Sequence, residues 1–123
     1  MGSEAAIEIR DAQWVDAGHR VRVPTGQAAL PTVFALSPNF PNPFNPETTL
    51  RFQLPKRGAV ELAIYDAAGQ RVRALLGGEL AAGAYTAVWD GRDQAGHEVA
   101  SGTYFARLRA GSRMQVRKMT LLR

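Results

Sequence analysis

Residues 59–70 read AVELAIYDAAGQ. In the first eight, Val60, Leu62 and Ile64 fall on one side of an extended chain, and Glu61, Ala63 and Tyr65 on the other. A period of two places one face of a strand on a core. The last five, DAAGQ (66–70), carry the Asp and Gly of a tight turn. This strand-then-turn pattern recurs outward in both directions.

Upstream, TLRFQL (49–54) sets Leu50, Phe52 and Leu54 against Arg51 and Gln53. Downstream, AYTAVWD (84–90) groups Tyr85, Ala87 and Trp89, and TYFARLR (103–109) groups Tyr104, Ala106 and Leu108 with Arg107 and Arg109 outward. Between them lie PKRG (55–58), GGELAAG (77–83), DGRDQAGH (90–97) and ASG (100–102), all with turn composition. No window sustains a capped 3.6-residue repeat. The pattern predicts an all-β sandwich or barrel with about seven strands from residue 33 onward.

Two regions fit less simply. In MQVRKMTLLR (114–123), Met114 and Val116 share a phase that then meets Lys118, while Met119, Leu121 and Leu122 fall out of it. A bulge near Lys118, or an end leaving the sheet, would reconcile them. In the first 32 residues, AIEIR (6–10) and HRVRVP (19–24) read as short strands and TGQAALP (25–31) as a linker. Residues 1–32 are then the tail of a preceding module plus a linker, the reading preferred, or a hairpin lending strands to the sandwich. Residues 33–123 are the domain itself.

Composition narrows function. Apolar residues make up 46% of the 123, enough for a core. No apolar run is long enough for a membrane-spanning helix, and no stretch reads as a signal peptide. Cysteine is absent, which removes disulfides, thiolate metal sites and a cysteine nucleophile. The net charge is +4, and beyond Glu98 come Arg107, Arg109, Arg113, Arg117, Lys118 and Arg123 without an acid. That run is a solvated strand face with a basic tail, or a docking surface for an acidic partner. No nucleic-acid-binding signature accompanies it. Asp90 and Asp93 in DGRDQAG make a hairpin turn rather than a calcium loop, because the distal glutamate of an EF-hand is missing. His19 and His97 have no neighbouring ligands in sequence. No phosphate loop, nucleophile elbow or paired-carboxylate cleft is legible, so no cofactor, no metal and no catalysis are expected. Trp89 and Tyr104 could stack on sugar, but their inward phase assigns them to the core.

Residues 39–46, NFPNPFNP, hold three prolines, three asparagines and two phenylalanines. Proline fixes φ and removes a donor, and each residue before it is pushed to extended geometry. Asparagine side chains can replace the lost partners through local turns. A stiff lid is expected, anchored by burial of Phe40 and Phe44 at roughly 1.5–3 kcal/mol each.

Taken in order, the NPFNPETT segment, IYDAAGQRV, AGAYTAVWDGRDQAG, SGTY and the final KMTLLR resemble the type A C-terminal sorting domain of the type IX (Por) secretion system, over about residues 33–123. The resemblance implies an immunoglobulin-like antiparallel β-sandwich and a non-catalytic module of a larger exported protein from a Bacteroidetes-type bacterium. It implies passage through the periplasm to the cell surface or beyond. Its partners would be the type IX translocon, a sortase-like peptidase and lipopolysaccharide. It also implies signal residues at Gly102, Tyr104, Lys118 and Arg123, and a motif at Pro41, Asn42, Pro43, Phe44, Asn45 and Pro46. Residues 58–109 also resemble, more weakly, the Ig-like domain of the flagellar hook-capping protein. A third reading is a carbohydrate- or surface-binding module of a modular glycoside hydrolase.

Overall fold

The computed structural model describes residues 32–123, together with the backbone of Ala12–Gln13 and Val21–Arg22. The strands are β1 (Ala12–Gln13), β2 (Val21–Arg22), β3 (Ala35–Leu36), β4 (Thr48–Leu54), β5 (Gly58–Asp66), β6 (Arg71–Leu80), β7 (Gly83–Trp89), β8 (Gly102–Ala110) and β9 (Arg113–Leu121). No helix occurs among the described residues, and the pairings between strands are antiparallel. One sheet runs β1-β6-β5-β8-β9 and the other β2-β7-β4-β3. From β3 to β9 this is a sandwich of about the seven strands that the alternation predicts, and it is immunoglobulin-like as the resemblance implies. The short β1 and β2 lie at one edge of each sheet, against Gly78–Gly77 and Ala87–Thr86. The expected strand AIEIR lies outside the described residues, whereas β2 falls within HRVRVP.

Each sheet turns one face to a common core, where removal of apolar area from water supplies the main driving force. β4 contributes Leu50, Phe52 and Leu54, and β7 contributes Tyr85, Ala87 and Trp89, all buried. Phe52 lies opposite Tyr85 in the register, and their rings stack at 5.2 Å. Such cross-strand pairs are the local unit of sheet stabilisation. β5 and β8 supply Val60, Leu62, Ile64, Tyr104, Ala106 and Leu108 from the facing sheet.

Three expectations are corrected. GGELAAG is not wholly a turn: β6 runs through Gly77 and Gly78 to a buried Leu80, leaving Ala81 and Ala82 as the connection. Glycine pairs weaken a strand's sequence signal, yet these two pair with Glu61 and Val60 of β5 on one side and with β1 on the other. β9 needs no bulge, because its register with β8 is unbroken from Arg113 to Leu121. Its inward phase is Gln115, Arg117, Met119 and Leu121, so Met114 and Val116 face solvent. The third correction concerns Phe40, which is 79% exposed and anchors nothing by burial.

Gln115 and Arg117 sit on the inward phase because they close the open side between the sheets. The Gln115 Oε1 accepts the N–H of Leu36 at 2.8 Å, and the Arg117 Nε donates to the Leu36 carbonyl at 2.6 Å. Gln115 Nε2 also donates to the Phe34 carbonyl at 3.3 Å. Two side chains thereby act as the missing neighbour of the β3 edge, whose backbone groups would otherwise go unpaired.

Candidate functional site

The proline segment and the end of β9 form one unit. Phe44 is 2% exposed and wedges its ring against Trp89 at 5.7 Å. Its backbone runs parallel to β9: Phe44 N–H donates to the Thr120 carbonyl and Leu122 N–H to the Phe44 carbonyl, both at 3.0 Å. Asn42 extends the pairing with its side chain. Its Oδ1 accepts the N–H of Thr120 at 3.0 Å, and its Nδ2 reaches the Lys118 carbonyl at 3.5 Å. The amide thus imitates a strand backbone instead of making a local turn. Pro41, Pro43, Asn45 and Pro46 are exposed and set the path of the chain between these anchors. Upstream, Asn39 Nδ2 donates to Thr48 Oγ1 at 2.9 Å, and the Thr48 hydroxyl donates to the Pro41 carbonyl at 2.8 Å. Phe40 contributes only its backbone, exchanging two hydrogen bonds with Thr49.

A second knot forms where Trp89-Asp90-Gly91 leaves β7. The Trp89 indole N–H donates to the Arg92 carbonyl at 2.9 Å. Asp90 Oδ1 accepts from Arg73 Nη1 at 2.7 Å and from Arg92 N–H at 3.1 Å, so this carboxylate is committed to protein donors. Arg123 closes the knot from the far end of the chain. Its Nη2 donates to Gly91 O at 2.6 Å, its Nε to Val99 O at 2.5 Å, and its backbone N–H to Ser101 Oγ at 2.7 Å. Only glycine fits at position 91: φ is +75°, and a Cβ would meet Arg123 Nη2 at 2.9 Å and the Pro46 carbonyl at 3.0 Å.

Tyr104 and Gly102 belong to a device that the fold uses twice. Tyr104 OH donates to the Ala100 carbonyl at 2.7 Å, and Tyr85 OH to the Ala81 carbonyl at 2.6 Å. Both lie in an Ala-x-Gly-x-Tyr sequence, and both glycines, Gly102 and Gly83, have φ of +156°. This is a tyrosine corner, in which a phenol ties a strand's start to the preceding loop. Burial foremost raises both phenols above their ordinary pKa of 10.0; Asp66 adds to the rise at Tyr104, and Arg57 and Arg123 oppose it at Tyr85 and Tyr104 respectively. A folded-state pKa above the unfolded value means the neutral phenol is favoured on folding. Stability from it is whole below about pH 10 and falls as pH rises past that point. Tyr104→Phe is expected to cost about 1–2 kcal/mol at neutral pH, with a carbonyl left short of its donor. It should also flatten part of the loss of urea midpoint on going to alkaline pH; a midpoint that does not change between pH 9 and 11 in the parent chain, on the order of the phenol range, would contradict this.

The loops repeat another device. In DAAGQ and DQAGH alike, the Asp Oδ1 accepts the N–H groups two and four residues on. The backbone N–H of His97 is the main cause of a lowered pKa at Asp93.

Lys118 stands apart from these knots. Its side chain is exposed on the outer face of β9, opposite Phe105, and only its carbonyl is engaged by Asn42. Of the four expected signal residues, then, Gly102, Tyr104 and Arg123 are held in structural hydrogen bonds or turns, and Lys118 presents a free ammonium group to solvent. Trp89 and Tyr104 meet edge-on at 5.3 Å inside the core, which leaves neither as a sugar-stacking platform.

With this geometry in view, the family model of the FlgD Ig-like domain matches residues 41–113, more than half of the chain. The chain belongs to the FlgD Ig-like domain family. Among solved structures, the chain is similar to PorZ, an essential bacterial surface component of the type IX secretion system of Porphyromonas gingivalis, at 17% identity and a TM-score of 0.51. That match covers 89% of this chain and 16% of PorZ. Dimeric latent PorU from the same organism matches at 17% identity and a TM-score of 0.56, over 85% of this chain and 12% of PorU. FlgD from P. aeruginosa matches at 21% identity and a TM-score of 0.49, over 73% and 74%. The chain therefore spans a small part of the Por proteins it matches. No curated protein sequence matches.

The FlgD Ig-like match begins at Pro41, inside the proline segment, and ends at Arg113, where β9 starts. It covers the Trp89-Asp90-Gly91 knot and both tyrosine corners, the parts that hold the sandwich together. Asn39, Gln115, Arg117 and the Arg123 bolt lie outside it. Gln115, Arg117 and Arg123 were not legible as partners in the sequence, because each acts on a backbone group far along the chain. Only the odd polar residue on an inward phase, as with Gln115, offered a signal.

Proposed function

We propose that residues 33–123 are a non-catalytic signal module that directs a larger exported protein across the outer membrane by a type IX secretion system and on to the cell surface. What supports the reading is one juxtaposition. The two motifs that carry the resemblance at sequence level, NPFNP and the basic KMTLLR end, are hydrogen-bonded to each other through Asn42 and Phe44 although they lie far apart in the chain. A receptor meeting this edge would read both at once, with Lys118 as the exposed point of contact and Gly102, Tyr104 and Arg123 holding it in place. The sandwich fold shared with PorZ and PorU agrees with this setting. The translocon and a sortase-like peptidase are the proposed partners, with lipopolysaccharide as acceptor. Among the described residues no helix is long and apolar enough to cross a membrane.

The test is display of a fluorescent cargo fused to residues 33–123 in a host with working type IX machinery. The cargo is expected at the cell surface, and Lys118→Ala is expected to return it to the periplasm without changing the circular dichroism spectrum. Cargo that stays periplasmic while the host displays its own substrates would reject the proposal. The family assignment favours a second reading, a structural Ig-like domain of a flagellar-hook-type assembly. A source genome that places this chain within a flagellar operon would favour it over export.

A further inference from the structure

The backbone of β9 alternates between groups bonded to β8 and groups pointing away from the sheet. The outward groups belong to the even-numbered residues, as the bonds of Lys118 O, Thr120 N and O, and Leu122 N to Asn42 and Phe44 make plain. The proline segment therefore covers the C-terminal half of this edge. Among the described residues nothing takes the outward N–H and C=O of Met114 and Val116. Their side chains are 55% and 47% exposed. Native sheets usually blunt such an edge.

Cations outnumber anions around this open stretch. On the outer face the register sets Arg109 beside Met114, Arg107 beside Val116 and Phe105 beside Lys118. Arg71, Arg107 and Arg109 share the single carboxylate of Glu61, at 3.5, 3.5 and 3.2 Å. Among the described residues no carboxylate pairs with Arg113 or Lys118, which flank the stretch. Tyr65, with the Arg107 guanidinium 4.6 Å over its ring, adds an aromatic shelf.

We propose that Met114–Lys118 is a strand-addition site that takes up an extended acidic segment of a partner protein. Backbone bonds to Met114, Val116 and Lys118 N–H would supply register. Apolar side chains opposite Met114 and Val116 would cover them, and a carboxylate opposite Lys118 would answer the excess of cations. A second copy of this chain fits less well, since it would bring its own uncompensated arginines onto the same face. The site is a property of the edge alone, so a chain that fails to export cargo would still bind, and the two proposals fail separately.

The test uses the full chain and a capped heptapeptide of alternating threonine and valine with one glutamate placed to meet Lys118, followed by fluorescence anisotropy. Binding is expected to weaken about tenfold or more when lysine replaces the glutamate, the sum of an opposite-charge pair lost and a like-charge pair gained. Amide exchange should slow at Met114, Val116 and Lys118 when the peptide is present. Val116→Pro removes an outward N–H without touching the bonds to β8, and is expected to abolish binding while the spectrum of the fold persists. Equal binding of both peptides, or protection confined elsewhere, would overturn the proposal. So would a concentration-dependent dimer in ultracentrifugation that Val116→Pro dissolves, because the edge would then belong to a second copy.

Discussion

Phe44→Ala is expected to destabilise the domain by about 3–5 kcal/mol, the range for removing a buried ring and leaving a cavity. Phe40→Ala, four residues away in the same segment, should fall within about 0.5 kcal/mol of the parent. The contrast follows from what each ring touches. Phe44 is buried against Trp89, which itself packs on Tyr104, so its loss opens a void beside a central aromatic pair. Phe40 holds the chain with its backbone alone, and alanine keeps both of those bonds. Urea titration followed by Trp fluorescence measures both variants. The midpoint should drop by about 2 M for the first and barely move for the second, taking an m-value typical of a small domain. Equal losses would mean that the proline segment acts as one apolar block. No loss at Phe44 would mean that the segment is held by its hydrogen bonds and that its ring is incidental.

The difference between the two phenylalanines marks where sequence reading succeeds. Strands β4, β5, β7 and β8 were legible because each pairs a period of two with a turn signal, and the inward residues are those the alternation selects. Phe40 and Phe44 carry no such phase, since proline-rich chain has no fixed face; composition predicted burial for both, and tertiary contact granted it to one. β9 misled for a related reason. Its apolar Met114 and Val116 sit on the solvent phase, while polar Gln115 and Arg117 sit inward to serve the β3 edge. A hydrophobicity pattern cannot represent a side chain that is inward because a distant carbonyl needs a donor. β6 was obscured by Gly77-Gly78 and by the register shifts opposite Leu62/Ala63 and Ile64/Tyr65, which bury Ala74, Leu75 and Leu76 in succession.

The candidate site shows the same division. Its residues could be named from motif resemblance, but their roles depend on where the chain returns. Arg123 looks like part of a basic tail, yet its guanidinium lies between Gly91 and Val99 carbonyls. Tyr104 looks like a signal residue, yet Tyr85 makes the same bond in a segment with no such resemblance. The FlgD Ig-like match, residues 41–113, spans Trp89-Asp90-Gly91 and both tyrosine corners; the open edge of β9 and Lys118 lie beyond it.

Asp90→Ala is the sharpest probe of the knot that presents the edge. Arg73 is 2% exposed on its side chain and its Nη1 sits 2.7 Å from Asp90 Oδ1. Breaking a buried pair from one side costs about 3–5 kcal/mol, because the remaining charge loses a close counter-ion in a poorly solvated site. Asp90 keeps 28% of its side chain in solvent, so an expected loss of roughly 2–4 kcal/mol is appropriate. The Arg92 carbonyl at 3.0 Å softens the loss but cannot neutralise a guanidinium. The double variant Arg73→Met, Asp90→Leu removes both charges and fills the space with apolar groups. It should recover most of the stability, since a buried pair often does no better than apolar side chains of like volume. The two urea midpoints decide the matter. A loss under about 1 kcal/mol for Asp90→Ala would make the contact an ordinary surface pair. A double variant as weak as the single one would place the cost in the Asp90 bond to Arg92 N–H, and so in the turn at Gly91 rather than in the charge of Arg73.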